Sequence, residues 1–280
     1  MAKRKSKSST GKKAGKTRSP KKADKSKKST GAAKKPTKTR KYITNEKSAE
    51  KPRSWRKRIL LFVTIALLIL ALIPLLLGAL YRSPSIHPAS TLMITGWVTG
   101  KKVSRRWVSY ENIAPELVQA VMMSEDGRYC SHQGVDWEAI NTIIDDAMEG
   151  EKTRGASTIT MQTVKNLFLW NSRSYVRKAL EVPLALYVDA IWPKRRQMEI
   201  YLNIAEWGPG IYGIDAASRH YFGRKAKRLS RRQAALLAVT LPNPKLRNPK
   251  KPSRRMKILA RINRARARKA GAYIRCLNQQ

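Results

Sequence analysis

Hydrophobic and polar positions are divided very unevenly along the chain. Residues 1–58 contain almost no apolar side chain, whereas the run from Ile59 to Leu80 (ILLFVTIALLILALIPLLLGAL) contains almost nothing else. A charge-free run of this length meets the ~20 residues that a helix needs to cross a bilayer. Pro74 and Gly78 are tolerated in such a helix. After a Pro/Ser-rich connection (RSPSIHPAS), the stretches LMITGWV and KKVSRRWVSY alternate in the manner of short strands. From there helical spacing dominates. Pro115 stands at a first-turn position of PELVQAVMMSED. Asp136 is placed to cap WEAINTIIDDAM, in which Ile140, Ile143, Ile144 and Ala147 repeat at helical spacing before Gly150 ends the segment. Gly155 and Ser157 read as a turn and an N-cap ahead of a helix from about Thr158 to Phe168. On it Thr158, Gln162 and Lys165 share one face, while Ile159, Met161, Val164, Leu167 and Phe168 spread over the others. A helix sunk in a core with one polar stripe is the expectation. SYVRKALEVPLALYVDAIW, with Pro183 inside it, and PKRRQMEIYLNIAEW follow as helices. Ser230 and Gln233 then form a capping box before AALLAVTL, which Pro242 stops. No repeat of 20 to 50 residues is present. The predicted fold is mainly α.

Charge changes the reading of the N-terminal segment. Of the formal +41 over 280 residues, about half sits in residues 1–58, where 24 Lys/Arg face only Asp24, Glu46 and Glu50. With little apolar surface to bury, this tail is expected to be disordered. Arg53, Arg56, Lys57 and Arg58 lie directly against the apolar run, which orients it with the tail in the cytoplasm and everything after Tyr81 outside. The tail is thus first a topology and lipid-surface signal, and nucleic-acid binding through phosphates is its weaker reading. The basic arm is far larger than that of a cleaved leader, and the apolar run is longer. Cys130 and Cys276 form no disulfide framework; a bond between them is compatible with an extracytoplasmic domain, and the sequence leaves it open. Cys130 and His132 make a poor metal motif, because no second ligand pair follows. The exterior part is expected to be one compact unit of about 160 residues, large enough for its own core.

Two acids stand out. Glu125 and Asp126 fall at the end of the helix begun by Pro115, where the carbonyl end of the helix dipole disfavours anions and makes a carboxylate a better base near neutrality. Gly127 and Gly134 in the following turn are expected to lift them towards a cleft. Glu181 is the second acid. Its spacing from Arg177 allows an ordinary i,i+4 salt bridge, and Pro183 is expected to bend that helix. Lys165, Arg173 and Arg177 are cations of the kind that clamp a phosphate or diphosphate.

Taken in order and spacing, SEDxxYxxHxGxD from Ser124, GASTITxQxxKNLFLW from Gly155, RKxxE from Arg177, KRRQMEIYLNIAEWGPGIYGIDAASRHYFG and LLAVTLPNP from Leu236 resemble the peptidoglycan glycosyltransferases of glycosyltransferase family 51. The likeness covers roughly residues 100–265, with no room for a following transpeptidase domain, as in monofunctional members. It implies a lysozyme-like helical lobe and a small membrane-proximal lobe. It divides the chain into a basic cytoplasmic tail (1–58), a transmembrane signal anchor (59–81), a linker (82–99), a catalytic domain (100–265) and a basic C-terminal segment (266–280). The implied reaction polymerises lipid II into β-1,4 glycan with release of undecaprenyl diphosphate, at the outer face of a bacterial inner membrane. By the same resemblance Glu125 is the general base and Glu181 a second catalytic acid near the diphosphate, holding a cation or a divalent metal such as Mg or Mn. Lys165 and Arg173 contact the diphosphate, and Asp126, Ser157, Thr158, Gln162, Asn166 and Arg177 complete the substrate-binding set. No cofactor is required outright, and the implied partners are lipid II, the growing lipid-linked glycan, the membrane surface and other cell-wall synthesis proteins. Three positions depart from the family pattern: Met161 where a second Gln is usual, Gly127 where Arg is usual, and Pro183. The alternatives are a lytic transglycosylase or muramidase, which would need no cationic diphosphate site, and a membrane-tethered nucleic-acid-binding protein acting through the tail. Apolar residues around Met148 to Arg154 are expected to dip into the bilayer.

Overall fold

The computed structural model describes residues 54–150, 155–172 and 174–278. They lie within one compact unit spanning Arg53–Gln280. Nearly all of the basic tail, the end of the Met148 to Arg154 segment and Arg173 fall outside the described residues.

The apolar run forms α1 (Trp55–Tyr81), with Pro74 inside it and nearly every side chain exposed. At 1.5 Å per residue its 27 residues reach roughly 40 Å, enough to span a bilayer. Among the described residues it is the one helix long and apolar enough to do so. LMITGWV, predicted as a strand, is instead the helix α2 (Thr91–Val98). Ser90 caps it by accepting from the Met93 N–H at 3.2 Å. Met93 and Gly96, three residues apart, are its buried positions, and this helical spacing overrides the β-branched residues between them. Of the second predicted strand only β1 (Ser104–Arg105) forms.

The remaining elements are α3 (Pro115–Glu125), α4 (Trp137–Met148), α5 (Ile159–Phe168), α6 (Tyr175–Ile191), α7 (Lys194–Ile204), β2 (Glu206–Gly208), β3 (Ile211–Tyr212), α8 (Ile214–Phe222), α9 (Arg231–Ala238), α10 (Arg254–Arg268) and α11 (Arg275–Asn278). The three short strands make one sheet in the order β1-β3-β2, β1 parallel and β2 antiparallel to β3. Asp136 caps α4 and Ser230 with Gln233 boxes α9, as expected. One other expectation fails. The N-cap of α5 is Thr158, not Ser157: its hydroxyl accepts from the Met161 N–H at 3.1 Å and donates to the Gly134 carbonyl at 2.6 Å. Helix α4 is more peripheral than its stripe suggests: it buries no residue fully, and Trp137, Ile144 and Met148 are largely exposed while Ile140 packs against the edge of a core.

Two large hydrophobic cores organise the fold, beside a small cluster of Ala235, Leu236, Val239, Met256 and Ala260 between α9 and α10. One gathers Leu117, Val121 and Met122 of α3 with Tyr201 and Leu202 of α7, Ala217 of α8 and Leu237 of α9. The other gathers Met93 of α2, Met161 and Val164 of α5, Val188 of α6 and Ile200 of α7. Helix α7 runs between them and is buried on every side from Arg196 to Ile204. Its polar groups are accordingly satisfied: Asn203 donates to the Val108 carbonyl at 2.8 Å and accepts from the Val108 N–H at 2.9 Å. Arg196 pairs with Glu199 at 2.6 Å and donates to the carbonyls of Tyr81, Ser83 and Ile86, so that a buried cation sits at the carbonyl end of α1. Tyr187 of α6 and Trp192, its C-cap, donate to the Leu75 and Gly78 carbonyls, both at 2.7 Å. A Cβ on Gly78 would stand 2.8 Å from the Tyr187 ring, so glycine permits this close approach.

The connections at both ends are built in as well. Within residues 82–99, α2 packs on α5, where Thr91 Oγ1 donates to the Leu169 carbonyl at 2.8 Å. Within residues 266–280, Ala270 and Leu277 are buried, and Cys276 forms a disulfide with Cys130, with Cα atoms 5.5 Å apart. The bond closes a loop of 146 residues, a long one for the entropy it removes from the unfolded chain. Reduction, or Cys276→Ser, is expected to lower the unfolding free energy by roughly 2–5 kcal/mol; identical thermal denaturation with and without reductant would show that the bond contributes nothing.

Candidate active site

Helix α3 ends at Glu125 and is capped by Asp126, whose N–H reaches the Met122 carbonyl at 2.8 Å. The two neighbouring acids part company there. The Asp126 side chain turns inward, accepting from the Ile159 N–H at the start of α5 at 3.0 Å and meeting His132 Nε2 at 3.0 and 3.1 Å. Gly134, with φ at 75°, lets the turn pass against α6: a Cβ there would meet the Ala185 carbonyl oxygen at 2.6 Å. Glu125 stays half-buried at the surface. Gln162 Nε2 donates to its Oε2 at 3.2 Å, and Ser124 Oγ lies 3.2 Å from its Oε1.

Burial pushes the Glu125 carboxyl above the usual carboxylate range, against the pull of Gln162, Ser124 and the positive fields of Arg247 and Lys165. The direction is the one anticipated from the helix end, but its cause is desolvation. Lys165 stands one turn beyond Gln162 on α5, also half-buried. Burial lowers its pKa, Arg177 adds to the effect, and Glu125 opposes it. Among the described residues it has no carboxylate within ion-pair distance. The open stripe of α5 is therefore Gln162, Lys165 and Asn166, the half-buried positions at i, i+3 and i+4.

Glu181 is buried on α6, with Arg177 on one carboxylate oxygen and Lys178 on the other at 2.9 Å. The plain i,i+4 bridge of the sequence pattern thus exists, together with a second cation. Lys178 also donates to Ser157 Oγ at 2.8 Å. Burial, with Arg177 and Lys165 close by, lowers the Lys178 ammonium to about 8. Arg177 is fixed further by donating to the Ser172 carbonyl at 2.7 Å. Among the described residues no group of three or more His, Cys, Asp or Glu is gathered for a metal. A divalent ion at Glu181 would have to displace two cations, which fits poorly, and no step below passes through a metal.

Of the residues expected at a site, the structure brings Glu125, Gln162 and Lys165 together, sets Lys165 within the field of Arg177, which pairs with Glu181, and joins Ser157 to Glu181 through Lys178. Asp126 and Thr158, expected to touch substrate, are buried and spend their side chains on the backbone of α5 and of the preceding turn. Met161 points into the second core at 1% exposure, so the position of the family's usual Gln is a core position here. Gly127 is exposed, and the neighbouring Arg128 pairs with Glu138. Helix α6 continues through Pro183. Lys178, Arg247 and Tyr201 did not emerge as site residues from sequence. Lys178 carries a usable signal in its i,i+3 spacing from Glu181. Arg247 comes from a distant loop, and Tyr201 lies inside a wholly buried helix.

A family model described as transglycosylase matches residues 92–268. The chain belongs to the transglycosylase family. It is 59% identical over 223 residues to a biosynthetic peptidoglycan transglycosylase of Brucella suis, a match covering 80% of this chain and 99% of that relative. It is 57% identical over 227 residues to one of Rhizobium meliloti, covering 80% and 95%. To one of Agrobacterium fabrum it is 54% identical over 225 residues, covering 80% and 98%.

In this transglycosylase the orientation of Gln162 is set from behind. Tyr201 Oη donates to Gln162 Oε1 at 3.0 Å, which turns the amide N–H groups towards Glu125. Burial and the two neighbouring carboxylates hold the Tyr201 phenol well above its usual pKa, so it remains a donor. Tyr201→Phe frees the amide to present its oxygen to the carboxylate, and the Glu125 pKa is expected to rise further. Titration of the Glu125 carboxyl carbon by NMR reads this; an unchanged titration would remove Tyr201 as the orienting group.

Proposed function

We propose that this transglycosylase polymerises lipid II into β-1,4 glycan with release of undecaprenyl diphosphate, with Glu125 as general base. The observation that carries the reading is a desolvated carboxylate at the end of α3 beside a half-buried ammonium on α5 that has no carboxylate partner among the described residues. The acceptor 4-hydroxyl attacks the donor anomeric carbon and gives its proton to Glu125. The bond from that carbon to the diphosphate oxygen breaks, and the electron pair leaves with the diphosphate. Attack from the opposite face inverts the α-linked donor to a β product, as in other inverting carbohydrate chemistry. A raised pKa suits Glu125 to a base that must later surrender the proton.

The leaving group gathers negative charge as it departs. Lys165, Arg177 and Lys178 stabilise that developing charge more than they stabilise bound substrate. Arg173 joins them by its place in the motif, Asn166 completes the open stripe of α5, and Glu181 keeps the cations in position. A glycan-cleaving enzyme has no diphosphate to accommodate, so this cluster favours synthesis over lysis.

The same reading places the chain in the bacterial inner membrane, with residues 1–58 cytoplasmic and 59–81 spanning. The catalytic unit, 100–265 by motif, would include α2 in front of it and the segment up to Leu277 behind it. The disulfide supports an exterior location, because such bonds persist in oxidising compartments. The exposed apolar residues of α2 and α4, Trp97, Val98, Trp137 and Met148 among them, suit contact with the bilayer surface where lipid II is confined.

Purified protein is expected to convert labelled lipid II into polymer, and Glu125→Gln to cut turnover by about 10²-fold or more with little change in substrate binding. Shortening of preformed sacculi without polymerisation would instead identify a lytic enzyme. The pH dependence carries a second test. Lys178 loses its charge as pH rises through about 8, so turnover is expected to fall on that alkaline side, and Lys178→Arg to move the decline to higher pH. An alkaline limb that Lys178→Arg leaves in place would assign it to another group.

A further inference from the structure

From Ala216 to Gln280 the chain carries 20 Lys/Arg and no Asp or Glu. Part of this charge is organised around a cavity of about 270 Å³ between α9 and α10, lined by Arg232, Lys257, Arg261 and Arg264 over a floor that includes Leu236 and Ala260. Lys257, Arg261 and Arg264 recur at i, i+4 and i+7 along α10 and so share one face; Arg232 closes the cavity from α9. Among the described residues none of the four forms a salt bridge. Glu116, the acid at the margin, lies 4.0 Å from Arg231 instead. Helix α10 even begins with Arg254 and Arg255, at the end where the dipole disfavours cations. Glu at i,i+4 would offset such repulsion on a solvated helix; here three of the four cations are exposed and the fourth half-buried, and a single-sign field of this kind attracts anions from solution.

We infer that the α9/α10 cavity is a docking groove for a carboxylate-bearing polymer, namely the peptide-substituted glycan strand that the proposed reaction lengthens. This rests on the function proposed above. Two observations select the strand. First, the C-terminal end of α9 borders the candidate site: Ser124 Oγ lies 3.5 Å from the Ala238 carbonyl, and Arg247, whose field reaches Glu125, donates to the Val239 carbonyl at 2.5 Å. Arg232 and Ala238 are six residues apart, so about 9 Å of helix separates the groove from the site, a distance one or two sugar units would cover. Second, α1 packs on α6 while α9 and α10 pack on α3, so the groove stands on the lobe that does not hold the span. A chain-like anion in the aqueous phase reaches it more readily than a headgroup in the bilayer.

The test uses the full chain in detergent and a variant with Arg232, Lys257, Arg261 and Arg264 all changed to Ser; Arg261→Glu alone is the second variant should the first fail to fold. Binding is measured to uncross-linked glycan strands bearing stem peptides, to the same strands stripped of peptide, to phosphatidylglycerol vesicles and to single-stranded DNA. Peptide-bearing strands are expected to bind the variant at least about tenfold more weakly and with a shallower salt dependence. Stripped strands should distinguish variant from parent little, and lipid II should be consumed at an unchanged initial rate but into shorter polymer. Equal binding of peptide-bearing strands to parent and variant overturns the inference. So does binding of stripped strands as tight as that of peptide-bearing ones, or an equal loss for vesicles or DNA, which would mark a general polyanion surface. If the parent chain fails to polymerise lipid II yet the strand-specific loss persists, the function reading falls and the groove stands.

Discussion

The carboxylate of Asp126 is the joint on which the site depends. It accepts the N–H of Ile159 at the beginning of α5 and is met from the other side by His132, so the end of α3 and the start of α5 are held to one another. A buried carboxylate with these partners is satisfied without reaching solvent. Once it is fixed, the preceding residue has little choice of direction. Glu125 faces Gln162, one turn into α5, and Lys165 follows one turn further on the same open stripe. A family motif that places two acids side by side thus assigns them opposite duties, one inside holding the scaffold and one outside in reach of chemistry.

Around this joint, desolvation acts on charges of both signs. Burial raises Glu125 and lowers Lys165 and Lys178, which moves each towards the neutral range where a proton can be exchanged or a charge felt strongly. Full burial of unpaired charges would be prohibitive, and the structure avoids it by half-burying the first two and tying Lys178 and Arg177 to the buried Glu181. Glu181 therefore serves by keeping positive charge concentrated in place. The same economy of partners is visible in Arg196, which is buried but answers three backbone carbonyls between Tyr81 and Ile86 and pairs with Glu199.

Helix α7 connects these local arrangements to the rest of the molecule. Because it is buried on all sides, each of its faces belongs to a different neighbour: Tyr201 backs the site through Gln162, Arg196 closes the end of α1, and Asn203 holds the chain at Val108. The membrane helix, the cationic cluster and the carboxylate are referenced to one rigid element, which is how a tethered enzyme keeps a fixed site beside a lipid-borne substrate.

Local chemistry made much of this legible from sequence. The apolar run of α1, the caps at Asp136 and Ser230, the Pro at the start of α3 and the four-residue spacing of Arg177 and Glu181 are all short-range signals, and all are found in the structure. The ordered motifs added the family and named Glu125 and Lys165 as candidates, which the structure sets near one another. What the sequence could not determine is which way a polar side chain turns when two cores compete for it. Asp126 and Thr158 were expected to touch substrate, yet they are buried because elements from far along the chain close over them, whereas Met161 is buried as its place on the apolar side of α5 predicts. Residues 92–98 alternate like a strand but fold within α2, since Met93 finds its partners only when the second core assembles. Arg247 and Tyr201 were invisible for the same reason, and the Cys130–Cys276 bond, compatible with the sequence, was left open by it. A one-dimensional pattern reports the period of a segment and its ends, whereas burial, and with it the orientation and pKa of each acid, is a property of neighbours that only the tertiary structure supplies.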